Sequence, residues 1–158
     1  MNSIIIKELT KKYGSVVAVN NLNLTIEQGE LFALLGVNGA GKTTVIKLLS
    51  CLIKPTSGDA FILGDSIISN PHTIKEKINI SPQETAVAAN LSVLENLVLI
   101  AGLYGQDRKT ATKNAHEIAK KFGLETELNK KASHLSGGMK RRLSIAMALI
   151  SKPQILFL

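Results

Sequence analysis

The chain has 158 residues, of which 45% are hydrophobic and 20% charged; this is one domain's worth, it excludes a disordered tail, and it allows about 70% of the unfolded surface to be buried. With 19 Lys+Arg against 12 Asp+Glu the formal net charge is +7, which suggests a polyanionic ligand such as nucleic acid, a membrane surface or nucleotide phosphates. A single cysteine, Cys51, excludes an internal disulfide and a thiolate zinc cluster, and 4% aromatics without Trp exclude a rich base-stacking platform.

The N-terminus has only Ile4-Ile5-Ile6 before charge returns, too short for a secretory h-region. The longest uncharged apolar stretch, Leu97 to Tyr104, falls far short of the ~20 residues a spanning helix needs. A soluble chain is expected, with any membrane role coming through a partner. The positive charge is spread out: residues 107–131 mix seven basic with four acidic side chains, and only Lys140-Arg141-Arg142 is compact. Such a distribution reads mainly as a solvated face.

The first third reads as β. Ile4-Ile5-Ile6 opens a strand, and Val16 to Ile26 holds a second with loose alternation. After the turn at Gln28-Gly29-Glu30, the run Leu31-Phe32-Ala33-Leu34-Leu35 is continuously apolar and predicts a strand covered on both faces, as in a parallel sheet. A glycine-rich loop leads into a helix predicted from about Lys42 to Ile53, with Val45, Leu48, Leu49 and Leu52 on its apolar face. Ala60 to Leu63 reads as a strand closed by Gly64-Asp65. Pro71 to Lys77 reads as a short helix, and Lys77 to Ile80 as a short strand.

The middle is helical. Ser92-Val93-Leu94-Glu95 has the capping-box pattern and starts a helix running to about Tyr104. A second spans about Arg108 to Phe122, with Ala111, Ala115, Ile118, Ala119 and Phe122 inward, and stops at Gly123. A third runs from about Gly137 to Ile150, with Leu143, Ala146, Met147 and Ile150 inward, and Pro153 breaks it. Ile155 to Leu158 then reads as a buried strand.

Gly36-Val37-Asn38-Gly39-Ala40-Gly41-Lys42-Thr43 fits G-x-x-x-x-G-K-[ST]. Glycines let the backbone turn so that successive N–H groups converge on phosphate oxygens. The helix behind adds its positive N-terminal end. Lys42 would reach the β- and γ-phosphates, and the Thr43 hydroxyl would go to Mg²⁺. The competing reading is a glycine-rich strand–helix turn with an incidental Lys-Thr. Further on, Leu135-Ser136-Gly137-Gly138-Met139 opens the third helix. Ser136 can cap it, and two glycines let a ligand approach the first-turn N–H groups. Alone, this is equally a capped helix start beside basic residues.

Together the two motifs resemble the ATP-binding subunit or domain of an ABC (ATP-binding cassette) transporter. The first resembles that family's Walker A, and Leu135 to Gly138 resembles its signature. Met139 stands where Gln is more usual, which resembles the multidrug and ABC-2-type exporter branch. Gln83, in Ser81-Pro82-Gln83-Glu84, resembles the Q-loop glutamine. Tyr13, in Lys11-Lys12-Tyr13-Gly14, resembles the aromatic that stacks on adenine. The resemblance covers Ile4 to Leu158 in the expected order.

The resemblance implies an α/β P-loop NTPase fold with a mixed β core and an inserted helical subdomain. It implies a β-rich core over 1–84, a helical subdomain over 85–152, and the start of the Walker B strand over 153–158. It implies ATP and Mg²⁺ as cofactors. Gly36 and the backbone from Asn38 through Gly39, Ala40, Gly41, Lys42 and Thr43 to Thr44 would wrap the phosphates. Lys42 and Gln83 would serve catalysis, Thr43 and Gln83 would hold Mg²⁺, and Ser136, Gly137 and Gly138 would meet the nucleotide of a second ATP-binding subunit. A membrane-spanning permease is the other implied partner, and the implied place is the cytoplasmic face of the membrane; no nucleic acid is expected. In that family an Asp and then a Glu follow the last apolar strand, whereas this sequence stops at Leu158, so the 158 residues are expected to be inactive in hydrolysis alone. Two alternatives stand beside transport: a truncated nucleotide-binding regulator, and a non-transport family member acting on ribosomes or DNA. His134 reads as structural or solvated, Cys51 as a small buried residue, and the sequon Asn90-Leu91-Ser92 as incidental.

Overall fold

The computed structural model describes residues 2–81 and 86–158, which fall into two compact units, Met1–Lys77 and Ile78–Leu158. Gln83 lies outside the described residues.

The first unit is built on a four-stranded sheet of β1 (Asn2–Tyr13), β2 (Val16–Glu27), β3 (Ser57–Ile62) and β4 (Asp65–Ser66), in the order β2-β1-β3-β4 with every neighbouring pair antiparallel. Helices α1 (Lys42–Leu49) and α2 (Pro71–Lys77) complete it. Alternation puts Ile4, Ile6, Ala60 and Ile62 inside, with Val45, Leu48 and Leu49 of α1 also buried. The β1–β2 ladder is bulged between Ile6 and Leu9. Glu8 and Asn21 there take left-handed backbone (φ 50° and 45°). Side chains replace the lost ladder bonds: Asn23 Oδ1 accepts from the Glu8 N–H at 2.9 Å and Thr10 Oγ1 from the Asn21 N–H at 3.0 Å.

Three expectations fail in this unit. Leu31 to Leu35 forms no strand, and Leu31 and Leu35 are 96% and 92% exposed. A continuous apolar run says that the segment calls for cover, not that a partner strand lies beside it; no strand of this unit pairs with it among the described residues. Helix α1 also ends at Leu49, four residues before the predicted Ile53. Cys51 there takes left-handed backbone (φ 56°). The Cys51 N–H donates to Leu48 O at 3.0 Å and the Leu52 N–H to Lys47 O at 2.9 Å, which closes a Schellman turn without glycine. Leu52 is thereby turned out to solvent, and Cys51 is half-buried rather than buried.

The second unit holds α3 (Val93–Leu103), α4 (Arg108–Lys121), α5 (Gly137–Leu149) and the parallel pair β5 (Ile78–Ile80) and β6 (Ile155–Phe157). Val93, Leu97 and Ala101 of α3, Ala111, Ala115 and Ala119 of α4, and Leu143, Ala146 and Met147 of α5 form one core. Alanines on α4 let its axis come close to its neighbours. The capping box at Ser92 is present in both directions, with Glu95 N–H to Ser92 Oγ at 3.1 Å and Ser92 N–H to Glu95 Oε2 at 2.7 Å. These bonds to Ser92 hold the Glu95 carboxyl below its ordinary range. Asp107 caps α4 by accepting from the Lys109 and Thr110 N–H groups, and its bonds to Thr110 lower its carboxyl too. Arg142, from the compact basic run, donates to the Phe122 and Gly123 carbonyls at 3.0 and 3.4 Å and so closes the end of α4.

Asn96 is fully buried on α3. Its Nδ2 donates to the carbonyls of Ala88, Leu91 and Ser92 at 3.1, 3.3 and 2.9 Å, and its Oδ1 accepts from the Ala88 N–H at 2.8 Å. An asparagine inside a helix is ordinarily a poor choice, and here it holds the approach to α3. Asn96→Ala should cost about 2–3 kcal/mol, since it strands buried backbone groups of that loop. Urea unfolding followed by far-UV circular dichroism measures it, and a loss under about 0.5 kcal/mol would show that water replaces the amide.

Candidate functional site

The glycine loop turns where the motif puts its glycines. Gly39 and Gly41 have φ +87° and +82°, a region that side chains other than glycine's enter at a cost. Gly41 is the N-cap of α1, and no side chain caps this helix. The first-turn N–H groups of α1 therefore have no side-chain acceptor and carry the positive end of the helix dipole. Gly36, Asn38, Gly39, Ala40 and Thr43 are exposed, while Gly41, Lys42 and Thr44 are half-buried. Within the loop the Ala40 N–H donates to Val37 O at 3.2 Å.

Lys42 curls over the loop that it follows. Its Nζ donates to the carbonyls of Gly36 at 2.5 Å and Val37 at 2.8 Å. An ammonium so placed has exchanged water for backbone oxygens, and phosphate oxygens are stronger acceptors of the same kind.

The loop is anchored on β2. A Cβ on Gly41 would lie 2.2 Å from the Ala18 carbonyl oxygen and 3.7 Å from Val19 Cγ2. Tyr13, at the end of β1, pairs with Val16 on the same strand. Val16 and Ala18 are two residues apart, or roughly 7 Å along a strand. The β1–β2 tip that carries Tyr13 and the start of α1 thus share one stretch of β2. The Tyr13 ring is 49% exposed, and Lys11 Nζ sits over it, 5.1 Å from its centroid.

In the second unit Ser136 caps α5, its Oγ accepting from the Met139 N–H at 3.3 Å. Ser136, Gly137 and Gly138 are all exposed, and a Cβ on either glycine would meet nothing within 4 Å. His134 is exposed as well. Burial raises the Cys51 thiol, which argues against a thiolate nucleophile there. Sequence reasoning passed over Lys11, whose signal was its place two residues before the aromatic, on the same side of the strand.

A glycine loop opening an uncapped helix is the loop-and-helix half of the P-loop pattern; the strand that leads into it in that pattern is not formed by Leu31 to Leu35. The family model described as ABC transporter matches residues 19–158, and the chain belongs to that family. Its fold is that of the family's ATP-binding domains: it superposes on the ATP-binding cassette MJ0796, solved as a dimer in a post-hydrolysis state bound to ADP and Pi, with a TM-score of 0.83 and 32% identity over 97% of this chain and 72% of that one. It is 37% identical over 158 residues to the doxorubicin resistance ATP-binding protein DrrA of Mycobacterium tuberculosis, covering 99% of this chain and 48% of DrrA. It is 42% identical over 151 residues to the bacitracin transport ATP-binding protein BcrA of Bacillus licheniformis, covering 96% of this chain and 48% of BcrA. The chain spans about half the length of these two curated relatives. No helix among the described residues is long and apolar enough to cross a membrane.

Proposed function

We propose that this chain carries the ATP site of an ABC transporter, and that the whole protein uses ATP binding and hydrolysis to drive transport through a membrane-spanning permease. The observation that carries the reading is the uncapped start of α1 with the Lys42 ammonium folded onto its own loop. Gly36 and the backbone of Asn38, Gly39, Ala40, Gly41, Lys42, Thr43 and Thr44 wrap the phosphates. Lys42 leaves the Gly36 and Val37 carbonyls for the β- and γ-phosphate oxygens. Tyr13 stacks on the adenine.

Among the described residues no group of three or more His, Cys, Asp or Glu could hold a metal. Mg²⁺ fits such a site because it keeps several waters and takes one or two protein oxygens beside phosphate. Thr43, exposed on the first turn of α1, would supply one oxygen, and Gln83, which lies outside the described residues, would supply another. When bound, Mg²⁺ neutralises phosphate charge.

A second ATP-binding subunit is the partner for Ser136, Gly137 and Gly138. The exposure of these residues, and the empty space where side chains on the glycines would stand, support an approach from outside the chain. The permease is met by α3, whose Leu99 and Leu103, with Tyr104 just past its end, are exposed apolar side chains. That contact holds the protein at the cytoplasmic face of the membrane. The drug-resistance relative and Met139 favour export.

Titration with a fluorescent ATP analogue and Mg²⁺ tests the nucleotide site. Binding should be saturable, and Lys42→Ala should weaken it by about ten- to a hundred-fold, as expected for losing charge-assisted hydrogen bonds. Equal affinity in the variant would sink the reading.

A further inference from the structure

Lys11 is held in an unusual place for a surface lysine. Its Nζ lies 5.1 Å from the Tyr13 ring centroid and donates at 2.7 Å to the carbonyl of Lys54. Lys54 belongs to the loop that leaves α1 and leads to β3. Two further bonds bind the same pieces: the Lys12 N–H donates to Thr56 Oγ1 at 3.0 Å, and the Thr56 N–H to Thr10 O at 2.9 Å. The end of β1 that carries Tyr13 is thus tied to the exit of the helix that opens at the glycine loop. The anchored ammonium occupies one face of the ring, and the side chain remains 49% exposed.

We propose that Lys11 is a positioning residue for the base of the bound nucleotide, and that it raises the affinity of Tyr13 for a purine by holding a cation against the opposite face of the ring. The proposal rests on the reading of Tyr13 as the stacking aromatic. Two physical effects support it. A cation attracted to the face of an aromatic ring draws electron density toward itself, so the far face becomes less negative and repels an electron-rich base less. A ring fixed before the base arrives also loses less freedom on stacking. Lys11 supplies both, because the Lys54 carbonyl keeps its ammonium from wandering into solvent.

Isothermal titration of the whole chain with ATP and, separately, with inorganic tripolyphosphate distinguishes this role from general charge. Lys11→Met should weaken ATP by about two- to five-fold, the size of an exposed cation–π contact, and leave tripolyphosphate unchanged. Lys11→Arg should keep ATP affinity within about two-fold, since a guanidinium also sits on aromatic faces. In a Tyr13→Ala background, itself weaker for ATP by about ten-fold, Lys11→Met should have no further effect. An equal loss for both ligands, an undiminished ATP affinity in Lys11→Met, or an additive loss in the Tyr13→Ala background would each overturn the proposal and leave the nucleotide site standing. Should Lys11→Met fail to fold, a several-fold loss of ATP binding in Lys11→Arg would overturn it too. Absence of binding of either ligand to the unaltered chain would instead remove the nucleotide site itself.

Discussion

Gly41→Ala should cost about 3 kcal/mol or more of stability, while Gly39→Ala should cost about 1–2 kcal/mol. Both glycines have positive φ, +82° and +87°, so both variants carry the left-handed penalty of a side chain. Their surroundings differ. A Cβ at Gly39 meets nothing within 4 Å, while one at Gly41 would lie 2.2 Å from the Ala18 carbonyl oxygen. That oxygen is backbone in β2 and cannot rotate away, so relief requires moving the start of α1 off the strand. In the proposed site the displaced turn offers its N–H groups to phosphate, so ATP binding should fall along with stability in Gly41→Ala. Urea unfolding of the pair gives the comparison directly. Equal losses would mean that the close approach of loop and strand costs nothing to relax.

The parts of this fold that are local were legible in the sequence. The start of α3 followed from Ser92 and Glu95, the stop of α4 from Gly123, and the inward faces of α4 and α5 from apolar residues at helical spacing. Each is decided within a few residues, where propensity and capping act. What failed was not decided by apolar spacing or by the usual capping residues. The apolar run Leu31 to Leu35 carried no information about whether a strand would lie beside it, and among the described residues none does. The early end of α1 turned on Cys51 taking left-handed backbone, which a non-glycine residue does not advertise. The role of Asn96 is set by the backbone it satisfies at Ala88, which reaches it only once the loop is folded onto α3.

The candidate site divides the same way. The glycine loop and the serine-glycine helix start are contiguous motifs whose spacing encodes their geometry. The link between the glycine loop and Tyr13 is not contiguous. It arises because β1 and β2 pair with Tyr13 opposite Val16 while Gly41 rests on Ala18. The spacing of Lys11 from Tyr13 was legible in the sequence, but what fixes its ammonium was not: the Lys54 carbonyl is 43 residues away.

Gly58→Ala is the second large effect, and it tests the framework rather than the loop. Gly58 opens β3 with φ +74°. A Cβ there would stand 2.2 Å from Glu8 O, 2.5 Å from Glu8 C and 2.6 Å from Lys7 O. Three backbone atoms at such distances leave no side-chain motion that could make room, so β3 must part from β1 at the bulge. That bulge holds Glu8 in left-handed backbone, with its N–H donating to Asn23 Oδ1. Disturbing it would also pull on Thr56 and Lys54, which tie the end of β1 beside Tyr13. Gly64→Ala supplies the control, with φ +88° and no atom within 4 Å of its Cβ. Gly64→Ala should lose about 1–2 kcal/mol and keep its ATP affinity, whereas Gly58→Ala should lose about 3–5 kcal/mol and bind ATP more weakly. Circular dichroism melts and ATP titration at a temperature where both variants are folded read the two quantities. Matching melts would show that the β1–β3 contact yields at little cost, and a stable Gly58→Ala with wild-type ATP affinity would show that the sheet does not position the nucleotide site.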